Sequence, residues 1–194
     1  MMSRLSPLSE HEPFLSIYRQ LSNVSMNPRL HTCTTVFEHA ELVRQTIARL
    51  GRQQGSSVAE LVLFDDLALA HDIGKLRGHP HEHHSVAILQ DLGETDAAFL
   101  SLVKHHDIAL PWYRSTQQGT PPTDAAWLRL AAQFDLWLLC LFAIADRADC
   151  PGGWQQNPPT IWFLQEVKRR NLVRRSLPSF DVPSTNPPPD ASSP

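Results

Sequence analysis

Between residues 58 and 71 the chain is apolar nearly all the way round a helical wheel, with Leu61, Val62, Leu63, Phe64, Leu67, Ala68, Leu69 and Ala70 following one another. A helix without a polar face has to be surrounded by protein, so this stretch predicts the central helix of a folded core. It runs into His71-Asp72-Ile73-Gly74-Lys75, which puts an imidazole and a carboxylate at the C-terminal end of a buried helix. Groups that prefer water stand in such a place when something inside binds them.

Helical spacing recurs elsewhere. Thr35-x-x-Glu38 reads as a capping box ahead of the stripe Val36, Ala40, Val43, Ile47 and Leu50, which stops at Gly51. Ser9-x-x-Glu12 reads as another. Further helices are expected over about 83–92, from a cap at Thr95 to about 105, as one long helix over 124–149, and over about 160–175. Gly74 and Gly78-His79-Pro80 break the chain, and 115–123 is a polar, Pro-containing loop. Alternation with period two is scarce. The expected fold is therefore all-α, a single-domain helical bundle over 1–176, followed by a Pro- and Ser-rich tail over 177–194 that is expected to be disordered.

With 194 residues, 42% hydrophobic content and a formal net charge of −3, the chain is long enough to bury a core and too balanced for its charge to dictate a polyanionic partner. The longest apolar run, 136–145, is half of the roughly 20 residues a membrane span needs. The N-terminus lacks the apolar segment of a secretory signal. Three cysteines without a CxxC indicate neither a disulfide framework nor a zinc knuckle. A cytoplasmic protein without membrane association is expected, and its oligomeric state is left open.

The ten histidines are clustered. In chain order stand His39, then His71-Asp72, then His81, His83 and His84, then His105-His106, and finally Asp146. A bundle supplies metal ligands from facing helices that point into its core. His71 and Asp72, roughly 100° apart on one helix, reach an ion at that helix's end, and His39 and Asp146 close the set from two neighbours. Two imidazoles and two carboxylates suit Mn, Fe, Co, Ni, Zn or Mg with positions left for water and a phosphate oxygen, and such an ion activates water and polarises a phosphoryl group. Lys75, three residues after Asp72, is placed to neutralise a substrate phosphate. Taken singly, His39 or the His71-Asp72 pair is more often a hydrogen-bonded core group than a ligand; it is the ordered set that points to metal or phosphate chemistry.

These residues resemble the HD-domain superfamily of metal-dependent phosphohydrolases, an all-helical fold, over about 27–149. The resemblance implies that His39, His71, Asp72 and Asp146 are metal ligands and that Asp72 and Lys75 serve catalysis. It is greatest to the phosphohydrolase domain of some bacterial CCA-adding tRNA nucleotidyltransferases and to polynucleotide-kinase-linked relatives. Asn27-Pro28-Arg29-Leu30-His31 before Val36-Phe37-Glu38-His39, the HDIGK stretch with Gly78 to Ser85, and Ala145 to Gly153 carry it. Those relatives hydrolyse 2′-phosphates and 2′,3′-cyclic phosphates, so the implied substrate is a nucleotide or other small phosphorylated metabolite, or an RNA end. Related proteins place a second metal or phosphate-binding imidazoles at the later histidines: His81 and His105 are first choices for a second ion, and His81, His105, His106 and Lys75 for substrate. The chain departs from those relatives in Thr32-Cys33-Thr34, where they carry Pro-Glu-Gly. The stretch after His105-His106 lacks the DGxGYP of cyclic-di-GMP phosphodiesterases, and Gly74-Lys75 stands where alarmone hydrolases carry an acidic pair.

A non-catalytic nucleotide-binding or regulatory module with the same fold is the alternative, and a structural scaffold a distant third. His79, His83 and His84 read as solvated. Lys168, Arg169, Arg170, Arg174 and Arg175 read as offsetting a helix dipole more readily than as steering an anion, and the five tryptophans as packing groups.

Overall fold

The computed structural model describes Arg4, Leu5 and residues 7–178; the tail expected to be disordered lies outside the described residues from 179 onward. As expected, the fold is all-α. The α-helices of the described residues are α1 (Glu12–Tyr18), α2 (Val36–Gln53), α3 (Val58–Ala70), α4 (His81–Asp91), α5 (Ala97–His105), α6 (Ala109–Gln117), α7 (Asp124–Ala131), α8 (Leu136–Ala145) and α9 (Pro158–Arg169), with 3-10 turns at Leu8–Glu10, Arg19–Asn23, Ile73–Arg77 and Trp154–Gln156. Among the described residues there is no strand, only an isolated antiparallel bridge between Ser25 and Thr35.

α2 begins at the capping box expected from its sequence, with Thr35 accepting from Glu38 N and the Glu38 carboxylate accepting in return from the Thr35 amide. Its stripe of Val36, Ala40, Val43 and Ile47 is fully buried against α3 and α8. A second capping box, Ser57 with Glu60, starts α3. The most enclosed helix is α8, all ten of whose residues are buried. α3 is buried only in its C-terminal half, at Phe64 and from Asp66 to Ala70, while Val58 is 79% exposed. The C-terminal end of α3 is therefore what the core encloses.

Several sequence-based boundaries are corrected. The long helix over 124–149 is two helices, α7 and α8, meeting at 93°. Asp135 ends the run by accepting from Trp137 N at the start of α8. A straight helix would have to carry the all-round apolar face of α8 into solvent or the polar face of α7 into the core. Gly51 does not end α2, which continues to Gln53; a Cβ there would stand 3.0 Å from Leu61 Cδ2, so this glycine lets α3 approach. Ser9 caps nothing: it lies in the turn Leu8–Glu10, and His11 caps α1 by accepting from Phe14 N. Asp96 rather than Thr95 caps α5, and α9 stops at Arg169. Among the described residues, no single helix is long and apolar enough to cross a membrane.

Candidate metal centre

Where α3 ends, His71 N still closes the last turn on Leu67 O, and the chain then enters the 3-10 turn at Ile73. The buried Ser85 hydroxyl of α4 donates to His71 O at 2.8 Å and accepts from Gly74 N at 2.9 Å. One side chain thus satisfies two backbone groups released by the helix terminus and fixes the angle at which His71 and Asp72 leave it. His39 arrives from the second turn of α2, Asp146 from the C-cap of α8, His81 from the first residue of α4, and His106 from the C-cap of α5.

His39, His71, Asp72 and Asp146 converge. His39 Nε2 lies 3.1 Å from Asp146 Oδ1, 3.3 Å from His71 Nε2 and 3.7 Å from Asp72 Oδ2. His71 Nε2 is 3.4 Å from both Asp72 Oδ2 and Asp146 Oδ1. Donors each ~2.1 Å from one ion and roughly 90–110° apart about it are about 3.0–3.4 Å from one another, which is close to this spacing. His71 Nδ1 donates to Ala68 O at 2.9 Å, so the Nε2 of the neutral ring carries a bare lone pair. His39 Nδ1 faces Asp149 Oδ2 at 3.1 Å without the alignment of a full hydrogen bond, and its Nε2 is within hydrogen-bonding distance of Asp146 Oδ1. Two imidazole nitrogens and two carboxylate oxygens crowd together here, all buried.

A proton or a metal ion resolves that conflict. Without an ion, burial disfavours charge on His71, but Asp72 and Asp146 outweigh it and push the ring up to about 10. His39 is raised in the same way, burial being overcome by Asp146 and Asp149. Asp72 and Asp146 are held well below the usual carboxylate range despite burial, Asp72 by His71 and Lys75, and Asp146 by Arg147, His39 and His71.

The other oxygen of Asp72 faces a second group. Asp72 Oδ1 is 3.2 Å from His81 Nε2 and 3.7 Å from His106 Nε2, and the two imidazole nitrogens are 3.4 Å apart. His39, His71 and Asp72 form one buried group able to hold a metal ion, and Asp72, His81 and His106 another. His106 Nδ1 donates to Val103 O at 2.8 Å, and burial, reinforced by His71, pushes this imidazole down to about 4. It is a neutral ring with a bare Nε2.

His105 is not brought to this site. Its Nδ1 turns back to Ser101 O at 2.8 Å and its ring lies beside Phe134, so the place expected for it is filled by His106. Lys75 is not a free charge either: Nζ is 2.5 Å from Asp72 Oδ2 and 3.8 Å from Met26 Sδ. His79 and His83 are exposed and His84 half-buried. Of the basic cluster, Arg169 and Arg170 pair with Glu166, and Arg175 pairs with Glu60 at 2.5 Å and stacks on Trp137.

A cleft of 520 Å³ opens over both groups, lined at its floor by His39, Asp72, His81, His106 and Asp146 and at its walls by Met26, Leu30, Leu110, His31, Lys75 and Arg147. The sequence reading missed Arg147, which pairs with Asp107 and lies 3.3 Å from Asp146 Oδ2, leaving Oδ1 for the side facing His39 and His71. It also missed Asp149; the Asp-x-x-Asp spacing after a buried helix was the available signal. No family model, curated protein or solved structure matches the chain.

Proposed function

We propose that the protein is a metal-dependent phosphohydrolase of the HD type, acting on a nucleotide or another small phosphorylated metabolite. The observation that carries this reading is the convergence of His39 Nε2, His71 Nε2, Asp72 Oδ2 and Asp146 Oδ1 where His39, Asp72 and Asp146 line an open cleft. The donor set fits Mn, Fe, Co, Ni, Zn or Mg; when bound, such an ion supplies an activated water and polarises the phosphoryl group.

The chain's own groups bind and orient the ester. Lys75 and Arg147 are the cations lining the cleft, and both are positioned by carboxylates of the cluster, so the phosphate is drawn to the floor. His106 is better suited to a second ion than to phosphate, because its neutral Nε2 has no proton to donate to a phosphate oxygen. Asp72, with one oxygen toward each group, would be among the residues holding both ions. Val24, Met26, Leu30 and Leu110 offer an apolar wall for the organic part of the ester, a nucleoside among the candidates.

Protein loaded with Mn, Co or Ni should release phosphate from an aryl phosphate or open a 2′,3′-cyclic nucleotide. Asp72→Ala should lower the rate at least ~100-fold, since losing even a group that merely supports a ligand costs 10–100-fold. Undiminished turnover in Asp72→Ala overturns the mechanism; a metal-free protein that binds nucleotide without turnover favours a regulatory module.

A further inference from the structure

Asp149 is a buried carboxylate beside two imidazoles. Its Oδ2 stands 3.1 Å from His39 Nδ1 and 2.9 Å from His31 Nδ1, and its Oδ1 is 3.0 Å from the same His31 nitrogen. The side chain is fully shielded from solvent. Its main-chain carbonyl accepts from Thr32 N at 2.8 Å, so this one residue grips the segment after His31 through its backbone and His31 itself through its side chain. His31 is on the wall of the cleft, and its ring meets that of His39 edge to face with centroids 5.5 Å apart.

We propose that Asp149 is a positioning residue, holding His39 with its Nε2 lone pair toward the metal-facing point while fixing His31 on the cleft wall beside it. The inference rests on the metal-centre reading for its purpose, but not for its geometry. A carboxylate at the far nitrogen of a ligating imidazole sets the ring's tautomer and raises its basicity as a ligand. Sharing that carboxylate with His31 joins the cleft wall to the centre, so that a displacement of the 27–35 segment is felt at His39. Asp149, His31 and Cys150 also lie close enough together to suggest a separate ion site, but the carboxylate is already engaged by both imidazoles, and burial raises the Cys150 thiol away from the thiolate that would ligate.

Two measurements test this. Proton–nitrogen correlation spectra of the histidine rings should show exchange-protected Nδ1–H protons on both His31 and His39 in the wild type, and Asp149→Asn should reduce the protection on at least one ring, since a neutral amide oxygen accepts more weakly than a carboxylate. Calorimetric titration with Zn or Mn should show ion affinity falling ~10–100-fold in Asp149→Asn, with Asp149→Glu recovering part of it. A wild-type His39 protonated on Nε2 with a bare Nδ1 overturns the proposal without any variant, and so does an Asp149→Asn protein with unchanged ring protons and unchanged ion affinity. A wild-type protein that binds no divalent ion overturns the phosphohydrolase reading instead, and the ring-proton spectra still decide the role of Asp149.

Discussion

Gly74 sits where two backbones touch. A Cβ on it would stand 2.0 Å from His81 O and 2.4 Å from Ser85 N, atoms of the helix that carries His81 to Asp72. Overfilling a packed contact costs 1–3 kcal/mol and occasionally more, so Gly74→Ala is expected to cost about 3 kcal/mol and to lower Tm by roughly 6–12 °C for a domain of this size. Thermal unfolding within a degree of wild type would contradict this. The sequence marks Gly74 only as a break after a helix; its role as a contact point was hidden because its partners come from the next helix. The same limit explains His105 and His106. Adjacent residues differ by roughly 100° around a helix, and the packing of α5 rather than its composition turns His106 to Asp72 and His105 back to Ser101.

At the level of elements, the turn between α7 and α8 decides where Asp146 is delivered. Asp135 caps α8 by accepting from Trp137 N at 2.9 Å, and the remaining residues between the helices, Ala132, Gln133 and Phe134, include no glycine or proline. Loss of such a cap costs about 1 kcal/mol. Asp135→Ala should therefore lower the denaturant midpoint by that equivalent with an unchanged slope; an unchanged midpoint would show that packing alone starts α8. Capping boxes and apolar stripes made α2 and α3 readable, because their signals lie within four residues of one another. The 93° break was not readable, since it follows from how much of each helix the core can enclose.

For the molecule as a whole, the cluster of opposite charges makes stability depend on pH. His71 is pushed up to about 10 by Asp72 and Asp146 against the effect of burial, so the stabilisation it contributes is complete below about 6.5, the ordinary imidazole value, and is lost as pH rises through its folded value. Asp72, Asp146 and Asp149 are depressed despite burial; their contribution is present above about 3.9 and is lost as pH falls below it. Metal-free protein is expected to have its highest Tm between these limits and a falling Tm from about pH 6.5 toward 10, and saturating Zn or Mn should remove the alkaline fall, because binding the deprotonated ligands replaces the proton. A metal-free Tm that is flat over that range contradicts the proton's role in the apo cluster. The order His39, His71-Asp72, His81, Asp146 and the all-helical class were written in local spacing and periodicity, which residues carry with them whatever surrounds them. Which imidazole faces Asp72, that Lys75 is already paired, and that Arg147 and Asp149 brace the centre were settled only when distant helices packed together, because hydrogen-bond direction and burial belong to pairs of residues far apart in the chain.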